Sequence, residues 1–193
     1  MNHFASPFWV NLLILVPIVL WFYLRRNKLH IKITQLVYVV LFGIGFGFIE
    51  SAVVIYLRAA TGLLPGFEGT LADVQRQAIE IFYNQQALTA KLPMSLLTVE
   101  IIREVGTMLM LLMIACVAAK RLKEKIAVFF LAFAAWDLFY YVFLYVTVHW
   151  PQNLTTKDVL FLIPQPWIGE VWIPILVDIL MIGTIFLNID NTD

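Results

Sequence analysis

Five apolar stretches of the chain are long enough to cross a lipid bilayer, and they limit its fold more than any other feature. A membrane-spanning helix needs about 20 mostly apolar residues, within a range of about 17–25. The chain has 193 residues, of which 62% are hydrophobic and only 13% are charged. A soluble domain of this size needs more polar surface than that. The predicted spans cover residues 8–24, 33–57, 94–119, 126–148 and 171–188.

The sequence therefore predicts an all-α integral membrane bundle of five transmembrane helices, which forms a single domain over residues 1–193. Basic residues decide its orientation, because they fill the link after the first span and the link after the third. The two clusters are Arg25, Arg26, Lys28 and Lys32, and Lys120, Arg121, Lys123 and Lys125. The positive-inside rule places both links in the cytoplasm, so the N-terminus is predicted outside and the C-terminus inside.

The two outer links are long, and each has a distinct pattern. Residues 71–90 repeat apolar side chains at helical spacing, which predicts an amphipathic helix on the outer surface, with a mere connector as the alternative. Residues 159–163 are apolar but too few to span, and Pro164 and Pro166 forbid a continuous helix. This second link is predicted to form an interfacial or re-entrant loop, surrounded by protein or by a wet cavity.

Acidic side chains inside the predicted spans are the main clue to function. Glu50 lies in the second span, Glu100 and Glu104 in the third, Asp137 in the fourth and Asp178 in the fifth. A charged side chain at the centre of a membrane helix costs at least about 2.5–3.5 kcal/mol, so such residues face the bundle interior or a wet cavity. Counting along the helices places all of them in the outer half of the bilayer or near its midplane.

Arg103 is the only cation deep in these spans. It shares one helical stripe with Glu100 and Glu104, and we expect it to bond at least one of Glu50, Glu100, Glu104 and Asp137. The acids cannot all stay ionised beside one cation at this depth, so some bind protons or a cation joins them. The alternative is a structural network of ion pairs that holds the helices together.

Tyr140 and Tyr141 follow Asp137 on the fourth span, and a tyrosine hydroxyl in lipid needs a hydrogen-bond partner, so one of them is expected to reach a carboxylate. The predicted polar pocket consists of Glu50, Glu100, Arg103, Glu104, Asp137, Tyr140, Tyr141 and Asp178. No residue of this pocket has an assigned catalytic role at this stage.

Several chemistries are disfavoured by the residues present. His30 and His149 lie at opposite ends of the predicted bundle, which disfavours a haem held by two histidines, and Cys116 is the single cysteine, which disfavours a zinc site of the Cys/His type. A net charge of zero gives no general attraction for nucleic acid. A metal site built from the carboxylate and tyrosine oxygens of the pocket stays open, and the cofactor is unknown.

The blocks FGFIESAVVIYLR, EIIREVGTMLMLLM, WDLFYY and DVLFLIPQPW resemble those of an uncharacterised, hypothetical family of small bacterial multi-spanning membrane proteins. The resemblance covers residues 33–175. It implies a location in the bacterial cytoplasmic (inner) membrane, and it carries no activity with it.

Three functions remain open. A small permease or a carrier linked to protons or cations explains the excess of acids, although the chain has no internal repeat. An enzyme acting on a lipid or lipid-linked substrate explains a pocket on the outer side, but it lacks a recognisable nucleophile. A non-catalytic subunit or assembly factor explains the acids as structural pairs. We favour the first because it needs no missing residue. Its ligands are a small cation, a proton or a lipid-like molecule, and Gly43 and Gly47 offer a surface for an oligomer.

Overall fold

The computed structural model describes residues 5–26, 28–62 and 94–190, with side chains for all of these except 57–62 and 94–96. A 3-10 helix over Phe8–Leu15 runs into helix α1, Val16–Leu24. The longer helices are α2 (Ile33–Gly62), α3 (Met94–Ala118) and α4 (Leu122–Val148), and α5 covers Trp172–Phe186. The amphipathic helix predicted over residues 71–90 lies outside the described residues.

Three helices are long and apolar enough to cross a membrane, over Ile33–Tyr56, Leu97–Ala118 and Leu122–Val148. The mostly helical architecture predicted from the sequence is confirmed to this extent. The helices over Phe8–Leu24 and Trp172–Phe186 are also apolar but shorter. Five spans and their orientation stay predictions. The exposed faces of the long helices are apolar, as a lipid-facing surface requires: Tyr38, Tyr56, Ile102 and Val117 are all more exposed than buried.

Helix α4 lies at the centre of the bundle and packs against α2, α3 and α5. Small buried residues let these neighbours approach it closely: Ala127, Ala132, Ala134 and Ala135. The larger side chains of the core, such as Leu131 and Leu144, are fully buried on the same helix. α4 therefore presents side chains to three neighbours at once, which makes it the helix on which a shared site can form.

Gly43 and Gly47 face α4 within the same chain. A Cβ atom added at Gly43 would lie 2.7 Å from the Cβ of Ala135, and one added at Gly47 would lie 2.7 Å from the backbone oxygen of Trp136. Both distances are closer than side chains tolerate, so the glycines permit the α2–α4 contact. Helix α4 already covers the surface that Gly43 and Gly47 form. This surface therefore does not support an oligomer through these two glycines.

The link between α4 and α5 contains a two-stranded antiparallel β-hairpin formed by β1 (Lys157–Phe161) and β2 (Trp167–Glu170). Lys157 pairs with Glu170 in its register. The backbone of Ser6 adds to the edge of β2 through two hydrogen bonds of 2.7 Å with Ile168. A hairpin over this segment agrees with the loop predicted from the sequence, and its depth in a membrane remains a prediction.

The two basic links meet at the other end of the bundle. The ammonium group of Lys123 donates a hydrogen bond to the backbone oxygen of Leu24 at 2.7 Å, and Lys28 donates to that of Leu187 at 3.1 Å. Leu29 forms a parallel backbone bridge with Ile189. The residues that follow α1, α3 and α5 therefore lie together, opposite the β-hairpin.

Candidate functional site

The structure divides the residues of the predicted pocket into two polar groups and one separate contact. The first group surrounds Arg103 and joins α2 to α3. The second lies between α4, α5 and the β-hairpin. The direct bonds of Glu104 go to neither group. Its carboxylate bonds the β-hairpin instead.

Arg103 is the centre of the first group. One of its terminal nitrogens, Nη1, forms an ion pair with Oε1 of Glu50, and the other, Nη2, lies 2.8 Å from Oε2 of Glu100. The hydroxyl of Thr107 donates to Oε2 of Glu50 at 3.4 Å. The prediction that Arg103 bonds at least one of the span acids is confirmed, and it bonds two.

This group ties together two helices that otherwise touch little. α2 and α3 pack mainly against α4, so the pair between Glu50 and Arg103 is a direct connection between them. Glu50 is buried and Arg103 is partly buried. A buried charge with a partner of opposite sign costs far less than an isolated one, which accounts for both residues in an apolar bundle.

Glu104 holds the turn of the β-hairpin. Its Oε2 accepts a hydrogen bond from the backbone N–H of Leu162 at 2.9 Å, and its Oε1 accepts one from that of Ile163 at 3.2 Å. Bonds from N–H groups to a carboxylate are stronger than those to a neutral acceptor. Both oxygens of this buried residue are used, so the structure gives Glu104 a positioning task between α3 and the hairpin.

Asp137 on α4 and Asp178 on α5 bring two carboxyl groups together, and these two groups interact with each other. Asp178 is 1% exposed, and neither of its oxygens receives a hydrogen bond from a donor group elsewhere in the described part of the chain. Ionised carboxylates are acceptors only, so two of them bond each other only if one carries a proton. A proton shared between Asp137 and Asp178 would join the two groups by such a bond inside the bundle.

Tyr141 continues this second group toward the hairpin. Its hydroxyl donates to Oδ2 of Asp158 at 3.0 Å, and Oδ1 of Asp158 accepts from the backbone N–H of Val159 at 2.7 Å. The ring of Tyr140 packs edge-on against that of Tyr141 with centroids 5.1 Å apart, and its hydroxyl interacts electrostatically with Arg103. The two tyrosines thus connect the second group with the first.

Asp158 was missed by the sequence reasoning, which considered acids of the spans only. A tyrosine does reach a carboxylate as predicted, but that carboxylate comes from the hairpin. Asp158 is 1% exposed although Lys157 beside it is exposed. The alternation of exposed and buried side chains along a strand could have revealed Asp158, because neighbouring side chains in a strand point to opposite faces.

Metal binding by these acids is not supported by their arrangement. Among the residues that the structure describes, no group of three or more His, Cys, Asp or Glu side chains could hold a metal ion. An all-oxygen metal site that also uses tyrosine hydroxyls, as considered from the sequence, stays a prediction. His30 lies at the end of the bundle opposite to these acids, with its Nδ1 atom 3.3 Å from Oδ2 of Asp190.

Comparison with known proteins adds no relative: no family model matches the chain, and neither the curated proteins nor the solved structures contain a significant match.

Proposed function

We propose that this protein is a small carrier of the bacterial cytoplasmic membrane that couples the movement of a solute to proton binding at Asp137 and Asp178. The observation that supports this proposal is the interaction between their two carboxyl groups, and within the described part of the chain no donor group bonds either oxygen of Asp178. The other buried acids of the predicted pocket already have partners. This pair alone among them is poised to gain or lose a proton.

The coupling follows from the charge of the pair. With one shared proton the pair carries one negative charge, and with two protons it is neutral. Burying a charge in an apolar interior is costly, whereas burying a neutral carboxylic acid costs much less. Binding the second proton therefore favours the closed packing of α4 on α5, and releasing it favours an arrangement in which water reaches the pair. A ligand moves a conformational equilibrium in this way when it binds one state better.

The proposed membrane arrangement has five spans with the hairpin outside. It is supported by the apolar exposed faces of the long helices and by the contact between Lys123 and Leu24, which brings two basic links to one end. Helix α5 is short, so in this arrangement the residues on either side of it complete its passage across the membrane. Both basic links face the cytoplasm in this arrangement.

Cysteine labelling from outside intact cells tests this arrangement. Cys116 is exposed, so it is first replaced by Ala. A cysteine placed at Asn153 or Gln77 is expected to react with a membrane-impermeant reagent, and one placed at Lys28 or Lys123 is not. Labelling at position 28 in intact cells would reverse the orientation.

Transport is tested with purified protein in proteoliposomes that contain a pH-sensitive dye. Small organic cations, organic anions and neutral sugars are added outside at equal pH on both sides. We expect one of these classes to change the internal pH with wild-type protein and to have no such effect with Asp178→Asn or Asp137→Asn. Asp190→Asn, at the far end of the bundle, serves as the control and keeps the response. No pH change with any class contradicts a proton-linked carrier.

An enzyme acting on a lipid or lipid-linked substrate is the second candidate. Two carboxyl groups that share a proton are the acid and base of known hydrolases, and this observation favours it. Asp178 is buried by protein in the present arrangement, which leaves a substrate no direct approach to it. Release of a cleaved headgroup from labelled phospholipid by wild-type protein, lost in Asp178→Asn, would favour the enzyme over the carrier.

A further inference from the structure

A line of polar groups leads from the β-hairpin to the acid pair. Asp158 lies in β1 next to Lys157, which is exposed. Its carboxylate accepts the hydrogen bond from the hydroxyl of Tyr141 at 3.0 Å. Tyr141 and Asp137 are four residues apart on α4, so they lie on the same face of that helix. The line therefore begins at a buried residue of the β-hairpin and ends at the pair.

The members of this line also interact electrostatically. Tyr141 is near Asp137 as well as Asp158, and Asp158 is near Asp137. No part of the line requires Glu104 or Arg103, whose direct bonds go to other partners. The β-hairpin does not need the hydrogen bond between Asp158 and Tyr141 as an anchor. Glu104 already holds the hairpin at its turn, and Ser6 holds it at its edge.

We propose that Asp158 and Tyr141 form the route by which protons travel between the hairpin face and the pair of Asp137 and Asp178. This inference rests on the proposed function, and it adds Asp158 and Tyr141 as proton-transfer residues. Asp158 is the group that takes a proton from water when the hairpin opens to solvent. Tyr141 passes it inward.

Each transfer conserves protons and charge. In the structure the Tyr141 hydroxyl donates to Asp158, which is the arrangement for an ionised Asp158. When a hydronium ion gives a proton to Asp158 and leaves as water, the hydroxyl of Tyr141 turns toward Asp137 and the new O–H bond of Asp158 points to the tyrosine oxygen. Asp158 then gives this proton to the tyrosine oxygen while the original tyrosine proton moves to Asp137. A hydroxyl both donates and accepts hydrogen bonds, so the tyrosine is neutral before and after the transfer.

Infrared spectroscopy of the full chain in lipid nanodiscs tests the route. A protonated buried carboxyl group has its own C=O stretching band, and this band shifts when its proton exchanges with deuterium from D2O. We expect wild-type protein to show the band and Asp178→Asn to lose or move it, which assigns it to the pair. The measured quantity is then the rate at which the band shifts after transfer to D2O.

Asp158→Asn and Tyr141→Phe are expected to keep the band and to slow its exchange by at least about tenfold, since positioned acid–base groups speed proton transfer by about 10²–10⁴. Glu170→Gln is the matched control, because Glu170 is a buried acid of the same hairpin that bonds Trp172 at 2.7 Å, and it keeps the wild-type rate. If Asp158→Asn does not fold, Tyr141→Phe decides alone.

Two results would overturn the route, and they differ. Exchange at the wild-type rate in both variants means that the pair holds a proton but receives it by another path, and only this inference fails. Absence of the band in wild-type protein means that the pair holds no proton, and the proposed function fails together with the route.

Discussion

Glu50 and Asp178 are buried carboxyl groups on two helices of one bundle, but their neighbours differ in charge. Glu50 faces Arg103 and receives a further hydrogen bond from Thr107. Asp178 faces another acid, Asp137, and receives no hydrogen bond from a cation among the described residues. The first carboxylate is stable as an anion, whereas the second is stable only with a proton nearby.

The difference teaches how to separate structural acids from functional ones in a membrane bundle. Both groups contain acidic residues at similar depth in their helices, so composition and depth do not distinguish them. What distinguishes them is whether a positive charge accompanies the acid. A balanced pair stabilises one arrangement, while an acid pair without a cation changes its charge when it binds a proton.

The largest effect is expected from Arg103→Leu, which removes the cation from the first group. Glu50 would be left buried without a positively charged partner, at a cost of roughly 3–5 kcal/mol in the free energy of unfolding. Unfolding in mixed detergent micelles measures the loss. Arg121→Leu is the control, because Arg121 is 71% exposed beside Glu124 and its removal changes little. Unchanged stability of Arg103→Leu would show that the first group is not structural.

Neutralising the acid of the same pair should cost less. Glu50→Gln keeps the size of the side chain and one oxygen acceptor but removes its charge, and hydrogen bonds to charged groups contribute about 1.5–3 kcal/mol. We expect a loss of that order in the same unfolding measurement. A Glu50→Gln variant that is more stable than the wild-type protein would show that the charge of Glu50 destabilises the fold, as we expect for a charged Asp178.

The contact of α2 with α4 is expected to support the position of Glu50. Gly47→Ala would place a Cβ atom 2.7 Å from the backbone of Trp136, and such overpacking costs about 1–3 kcal/mol. Gly45→Ala is the matched control on the same helix, since nothing lies within 4 Å of its added Cβ. Equal stability of the two variants would argue against close packing of α2 on α4.

A smaller effect is expected from Glu104→Gln, because an amide has one acceptor oxygen where the carboxylate has two. One of the two bonds to the hairpin is lost, worth about 1 kcal/mol. Hydrogen exchange at the backbone amides of Leu162 and Ile163 should become faster, and Glu124→Gln should leave it unchanged. Unaltered exchange in Glu104→Gln would show that the hairpin turn does not depend on α3.

The smallest effect on stability is expected from Asp178→Asn, although it should abolish proton binding. An amide N–H can donate to the remaining carboxylate of Asp137, so the free energy of unfolding should stay the same or rise by up to about 1 kcal/mol. The same unfolding measurement checks this. A loss comparable to that of Glu50→Gln would remove the contrast between the two groups.

The helices could be predicted from hydropathy because lipid-length apolar runs have few alternatives. The predicted starts at residues 33 and 94 match α2 and α3. α4 begins at Leu122 rather than at 126, because Glu124 accepts from the backbone N–H of Arg121 and so adds a charged first turn that hydropathy leaves out. Helical spacing also predicted the contact between Glu100 and Arg103.

The rest of the site could not be predicted, because it depends on which helices are neighbours. Nothing local connects Asp137 with Asp178, and their contact requires α5 to pack on α4 in one rotation. The bonds of Glu104 go to backbone groups of the hairpin, which no side-chain pattern reveals. Asp158 lies far from Glu50 and Glu104 in sequence and outside every apolar run.

The packing of α1 against α5 has a consequence for how the chain is made. The ribosome makes α1 first, and α5 follows only after α2, α3 and α4 have emerged. Until then, the face of α1 that carries Leu20 and Leu24 lacks its final neighbour. The backbone bridge between Leu29 and Ile189 closes later still. Synthesis therefore includes an interval in which α1 has been made but is not yet assembled with α5.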